Sequence, residues 1–391
     1  MNNKNKCKSL GLAVAVAMGI SSMPAQASYE LGPVQLDGFI RQHMSWNLDD
    51  PIGPGGPMDA KGDMSMNRTT LQLEWNAELT DDVAFIGVAR AVREQTTSYG
   101  GDLNSGGAFG NQGPRDYYDE EELREAYLDI FLTDRVQLKL GKQQVAWGES
   151  DFFQALDLIH GFDYRWRSFL EPANEDLRKP LIMANAIIDI PEADGQLQLL
   201  YRPGWDNDDQ IGNSYDIEGG RWSNAPYKTV NFPGATPYSY DHPDADTDDA
   251  TYGIRWNGTY NDLGYSLAYL RTFNPDPVMN ANPAFANASA FNGAYTSNQA
   301  STFGEVIFPT IDVLGFTLNG YSEAGDFVWS TEFAYIKDAP FNVGDSNGRF
   351  TPGNCKTVLD GFCGIEQSDV LRTMFRIDKN LAFTQDLLGT E

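Results

Sequence analysis

Apolar and polar residues alternate along twelve segments of this sequence, and every second connection between them is short. The segments cover 34–48, 67–79, 83–97, 122–132, 136–147, 181–190, 196–203, 249–260, 263–273, 302–321, 326–336 and 369–378. The short connections are Thr80-Asp81-Asp82, Thr133-Asp134-Arg135, PEADG (191–195), Asn261-Asp262 and SEAG (322–325). Long loops fill 49–66, 98–121, 148–180, 204–248, 274–301 and 337–368. A period of two is the period of a β-strand. Short turns at one end and long loops at the other are the asymmetry of a transmembrane antiparallel β-barrel. Soluble sandwiches and propellers do not sort their loops by parity.

Register sharpens this reading, because cross-strand partners share a face. Around Thr133–Arg135, Leu132 falls opposite Val136, Ile130 opposite Leu138 and Leu128 opposite Leu140. The other face then pairs Asp129 with Lys139, Tyr127 with Gly141 and Glu125 with Gln143. At Thr80–Asp82 the pairs Leu79/Val83, Ala77/Phe85, Trp75/Gly87, Leu73/Ala89 and Leu71/Ala91 share one face, and Glu74/Val88, Gln72/Arg90 and Arg68/Glu94 the other. The Asn261-Asp262 hairpin repeats the pattern, with Trp256/Leu267 and Gly258/Tyr265 outside and Asn257/Ser266 inside. The first segment places Val34, Leu36, Ile40, Met44 and Trp46 on one face and Gln35, Asp37, Arg41, His43 and Ser45 on the other, with Phe39 among them. In a barrel the apolar face meets lipid and the charged face lines the lumen. Trp46, Trp147, Tyr201, Tyr252, Tyr260 and Tyr335 near segment ends fit an interfacial aromatic belt.

A formal charge of -27 over 391 residues argues against nucleic acid as a partner. No internal apolar run is long enough for a membrane helix. The N-terminus has the three parts of a secretory signal: Lys4, Lys6 and Lys8, the apolar LGLAVAVAMGI, and Ala25-Gln26-Ala27 as the cleavage site. The expectation is therefore a signal over 1–27 and an outer-membrane barrel domain over 28–391, exported through the periplasm of a Gram-negative bacterium. About twelve strands are expected. The ending KNLAFTQDLLGTE is neither a strand nor closed by an aromatic residue, so a barrel truncated at its C-terminus is expected. Cys355 and Cys363, close together in an exported chain, are expected to form a disulfide.

The stretch ELREAYLDIFLTDRVQLKLGKQQVAWGESDFFQALDLIHGFDYR is more specific. It resembles a proteobacterial outer-membrane family catalogued as domain of unknown function 1302. Gly141, Lys142, Gln143, Val145, Trp147, Gly148, Glu149 and Asp151 match that family's recurring strand-end motif, and Ala155, Leu156, Asp157 and Ile159 its following segment. DGFIRQ near Asp37 looks like its opening strand, and the resemblance extends over the mature chain. It implies a barrel associated with export or uptake of hydrophobic molecules, beside a periplasmic lipoprotein and an inner-membrane pump of the resistance-nodulation-division type. Lys142 stands where the family frequently has Arg, and HGFD follows Ile159, both departures from the pattern.

The candidate site follows from the loop after Trp147. Ser150 or Asp151 can cap a helix whose Phe153, Leu156 and Ile159 recur at helical spacing. Loop 148–180 is expected to fold into the lumen as a partial plug, with Glu149 and Asp151 meeting Arg41, Arg68, Lys139 or Lys142. Arg90, Glu94, Glu125, Asp129, Gln143 and Trp147 complete the lumen and plug set. Alternatively, these charges stiffen the barrel without any passage. Asp244, Asp246 and Asp248 form either a weak surface cation site or a solvated acidic loop; Asp249 and Arg255 occupy the EF-hand positions that call for Gly and Glu. No metal or cofactor is expected, and no enzyme: G-x-S-x-G is absent. His43 and Ser45, two residues apart on one strand, have no evident third partner. The leading expectation is passage of a small hydrophobic or amphipathic molecule across the outer membrane. The alternative is a non-conducting docking component for the lipoprotein and pump.

Overall fold

A computed structural model describes residues 25–50, 52–53, 56–57, 59–105, 115, 118–149, 154–166, 174–214, 239–242, 245–281, 304–342 and 364–379. Its main element is an antiparallel sheet of thirteen strands, neighbours in space following neighbours in sequence. The strands are β1 (Ala25–Leu31), β2 (Val34–Trp46), β3 (Met64–Thr80), β4 (Val83–Glu94), β5 (Glu120–Thr133), β6 (Val136–Gln143), β7 (Leu181–Ile190), β8 (Gly195–Arg202), β9 (Thr251–Tyr260), β10 (Leu263–Phe273), β11 (Thr310–Ser322), β12 (Phe327–Asn342) and β13 (Ile365–Asp378). Among the described residues, helix is limited to Ser98–Ser105, to Arg115 and Tyr118, and to single 3₁₀ turns.

All twelve expected segments are strands. The additional strand, β1, pairs with β2 from Ala25↔Ile40 to Leu31↔Val34. The expected signal cleavage after Ala27 falls inside it. Several segments needed correction, and β12 reaches Asn342 while β13 starts at Ile365, both inside the expected loop 337–368. The one read over 302–321 is broken at Phe308-Pro309: Gly304–Ile307 pairs with Val278–Ala281, and β11 starts at Thr310. Proline has no N–H for the ladder and favours a break at this point. The segment read over 136–147 ends at Gln143, and the chain then turns away from the sheet.

The chain divides into two compact units, one of residues 1–77 and 88–123, the other of 78–87 and 124–391. In the first, β2 and β3 pair from Val34↔Ala77 to Trp46↔Met64, setting His43 opposite Arg68. In the second, the expected register holds at Asp129↔Lys139, Tyr127↔Gly141, Ile130↔Leu138 and Leu128↔Leu140. It fails at the turn, where an irregularity between Phe131 and Thr133 puts Thr133, not Leu132, opposite Val136. The Asn261-Asp262 hairpin has Trp256↔Leu267, Asn257↔Ser266 and Gly258↔Tyr265, as expected. Its tight turn uses positive φ at Asn261 and Asp262, which these residue types tolerate.

Sidedness is inverted relative to a soluble sheet. Ile40, Leu71, Leu267, Leu314 and Leu371 are each about half exposed, whereas Arg68, Gln143, Ser266 and Glu332 are buried. The apolar face is the outer one and the polar face is covered. This is the sidedness of a membrane-spanning β-sheet.

Candidate functional site

The cover on the polar face of the second unit is the chain itself. After Gln143, residues among 144–149 and 154–164 pack against the covered face of the strands, and Trp147, Leu156, Leu158 and Phe162 are at most 1% exposed. Trp147, Leu156 and Leu158 form one apolar cluster with Met183, Leu200, Leu270, Ile311, Val313, Ala334 and Ile336, which project from β7, β8, β10, β11 and β12. Removing side chains of this size from water stabilises by about 1.5–3 kcal/mol each. Two strand glycines leave room for the segment. A Cβ on Gly253 would lie 2.6 Å from the Trp147 ring, and one on Gly315 would overlap Leu156.

Polar contacts fix the segment where apolar packing alone would let it slide. Glu332, fully buried on β12, accepts the backbone N–H of Glu149 and, at 3.1 Å, that of Leu156. One carboxylate thus holds the backbone at both Glu149 and Leu156. Arg376 of β13 donates to the Glu149 carbonyl at 3.1 Å, and Arg372 to that of Gln154 at 3.3 Å. The Trp147 indole N–H donates to Gln198 at 2.9 Å, Gln198 to Asn185 at 3.0 Å, and Asn185 to Gln143 at 3.2 Å. Asp157 and Arg178 form a buried ion pair at 2.5 Å, with the guanidinium 5.3 Å from the Phe162 ring. Burial pushes the Asp157 carboxyl up, against the pull of Arg178. Arg124 secures the Arg178 carbonyl at 2.7 Å.

His160 is held as a neutral ring. Its Nε2 accepts the Val145 N–H at 2.9 Å, so Nδ1 carries the proton and faces the Lys179 carbonyl at 2.9 Å. Burial and the Arg178 charge press its pKa down to about 3. Burial raises the pKa of nearby Asp163, but Arg165 and Lys179 outweigh it and hold the carboxyl below the usual carboxylate range. Lys179 in turn donates to the Asp209 carbonyl at 2.9 Å and to Ser214 at 2.6 Å. The segment is therefore tied to loops 174–180 and 206–214 as well as to the sheet.

The described residues of loop 148–180 pack on the covered face of the sheet, but with partners other than those expected. The Glu149 carboxylate lies 3.9 Å from Arg255 of β9. Arg68 instead pairs with Glu94 at 2.9 Å, and Lys139 lies 3.8 Å from Asp129. Arg90 donates to Gln72 at 2.8 Å, the pair read from the register; Arg41 lies over the Phe39 ring at 4.4 Å, and Glu125 accepts from Gln144 at 3.1 Å. Lys142 pairs with Ile182 and alternates onto the face of Leu138 and Leu140, the outer one, so it is not an inner-face residue. The expected helix is absent over Gln154–Ile159, where backbone groups bond to the wall instead of to each other. Ser150 to Phe153, with Asp151, lie outside the described residues, as do Asp244, Cys355 and Cys363. Asp246 accepts the Asp248 N–H at 2.9 Å, and no cluster of metal-binding side chains occurs among the described residues. Ser45 hydrogen-bonds Ser65 at 2.8 Å. Arg255, Glu332, Arg372 and Arg376 were missed. Their inward positions follow from strand alternation, but their partner segment does not.

A family model described as "Protein of unknown function (DUF1302)" matches residues 8–389. No curated protein matches. Similar solved structures include a loop L8 deletion mutant of OmpT, an outer membrane protein of Vibrio cholerae, at 11% identity over 78% of this chain and 69% of that one, with TM-score 0.33. Salmonella typhi OmpF in complex with daunomycin is similar at 11% identity over 90% and 100%, with TM-score 0.29, and Pseudomonas aeruginosa OccK5 at 9% over 91% and 90%, with TM-score 0.30.

Proposed function

The chain belongs to the DUF1302 family, and from that premise we propose that it is an outer-membrane β-barrel through which a small amphipathic or hydrophobic molecule passes, with segment 144–164 as the closing element. The observation that carries this reading is the pair of N–H groups, on Glu149 and Leu156, held by the single carboxylate of Glu332. Glu332 pins two points of a segment that apolar packing, Arg372 and Arg376 also hold, so its replacement should loosen the plug. The outer face supports membrane insertion, since large apolar side chains on consecutive strands stand exposed where water would oppose them. The role is passage rather than catalysis.

Proteoliposomes test it. Release of a small amphipathic dye should be slow with the unaltered chain and faster with Glu332→Ala, while release of a large dextran should stay at zero in both. Equal dye release from empty liposomes and from both proteins would contradict passage. The filled inner face also favours a second reading, a non-conducting docking component for a periplasmic lipoprotein and an inner-membrane pump. That reading requires co-purification with such partners and no dye release from either protein.

A further inference from the structure

The apolar outer face of the second unit ends in a polar row. Tyr252 pairs with Arg271, Arg271 with Asp312, and Asp312 with Lys337, so β9 to β12 each place one residue at the same level. Alternation puts this row on the face of Ile254, Leu267, Leu314 and Phe333, all well exposed. The row lies toward the strand ends away from the short turns at Asn261-Asp262 and 323–326. If the apolar residues below it touch acyl chains, the row stands at headgroup level.

Its charges are not evenly engaged. Asp312 accepts the Tyr269 hydroxyl at 2.8 Å and Arg271 Nη1 at 3.0 and 3.2 Å. Arg271 is thereby fixed through one amino group, yet its side chain stays 42% exposed. Lys337 is 60% exposed, its nearest carboxylate being Asp338 at 3.7 Å. The neighbouring Asp369 is occupied by the Tyr335 hydroxyl and the Asp338 N–H. Asp312 and Asp369 are thus engaged by donors of the wall, Asp338 is 56% exposed beside Lys337, and the two cations project from the wall. Arg271 and Lys337 sit two strands apart, roughly 10 Å at the backbone, a gap their long side chains can close around one phosphate. A guanidinium already oriented by a carboxylate offers its remaining donors as a planar fork suited to phosphate oxygens.

We propose that Arg271 and Lys337 form a binding site for the phosphate of a phosphorylated outer-leaflet lipid, with Asp312 positioning Arg271 and Tyr252 at the edge of the headgroup layer. This rests on the outer-membrane reading above. The test uses the full chain refolded in neutral detergent, with native mass spectrometry counting retained lipid. The probes are bisphosphorylated lipid A, the same lipid A dephosphorylated, and inorganic phosphate.

The unaltered protein should prefer the phosphorylated lipid at least tenfold, and millimolar inorganic phosphate should not displace it. Arg271→Gln/Lys337→Gln should lose that preference, and Asp312→Asn should weaken it. Lys337→Gln alone, at an exposed position, should lose part of it even if the double variant does not fold. Retention of the full preference by a folded Lys337→Gln protein, or displacement by inorganic phosphate, overturns the lipid site. Failure of the unaltered protein to insert into vesicles contradicts the membrane reading instead.

Discussion

The carboxylate of Glu332 on β12 accepts the backbone N–H groups of Glu149 and Leu156, residues 183 and 176 positions away from it in sequence. Glu332→Ala removes both acceptors and strands two N–H groups in a closed environment. A buried donor left without a partner costs about 1–3 kcal/mol. The variant should show a lower midpoint in heat-dependent gel mobility and new protease cleavage near 149–156. An unchanged midpoint and cleavage pattern would mean that the carboxylate does not hold the segment.

Gly253 tests the apolar side of the same contact. Alanine there would bring its Cβ against the Trp147 ring, which is fully buried and bonded through its indole to Gln198. Overpacking of this kind costs about 1–3 kcal/mol. Gly253→Ala should destabilise, and Trp147→Leu in the same chain should recover part of the loss. If Gly253→Ala is neutral, Trp147 does not occupy that place.

The Asp157–Arg178 pair predicts an asymmetry between single and double replacement. Asp157→Leu leaves a buried guanidinium without its counter-charge, a change that typically costs about 3–5 kcal/mol. Replacing both, as Asp157→Leu/Arg178→Met, should cost much less. Urea unfolding in detergent reads the difference. Equal losses in the single and double variants would show that the two side chains act independently.

His160 gives the pH dependence. Its pKa in the folded chain is pressed down to about 3, while an unfolded histidine titrates near 6.5. The unfolded state therefore takes up a proton that the folded state refuses, and folding is opposed as pH falls below about 6.5. The stabilising contribution is whole above that value and declines by about 1.4 kcal/mol per pH unit down to about 3. Unfolding midpoints of the unaltered protein should drop faster between pH 7 and pH 4 than those of His160→Gln. Parallel curves would contradict a neutral, buried ring.

What could be read in advance divides along physical lines. The alternation that sets Asp129 opposite Lys139 is local, because a two-residue period and a tight turn fix it. The Arg68–Glu94 and Arg90–Gln72 contacts were legible for the same reason. The partner of Glu149 was not. Arg255 and Glu332 reach it from strands far along the chain, and nothing in a periodic pattern says which inward side chain a loop will meet. The helical spacing of Leu156 and Ile159 misled because both are buried by the wall in an irregular segment, so apolar spacing there records the shape of the sheet and not a helix. The inward turn itself had a signal: Trp-Gly-Glu directly after an alternating strand.

Single-channel conductance in a planar bilayer tests the central claim most directly. The unaltered chain should be compared with one whose residues 146–159 are replaced by a Gly-Ser linker, both shown to be folded by heat-dependent gel mobility. The account predicts a silent or rarely opening unaltered protein and a steady ohmic step in the replacement. An unaltered protein that conducts as well as the replacement would contradict it, because segment 144–164 would then close nothing.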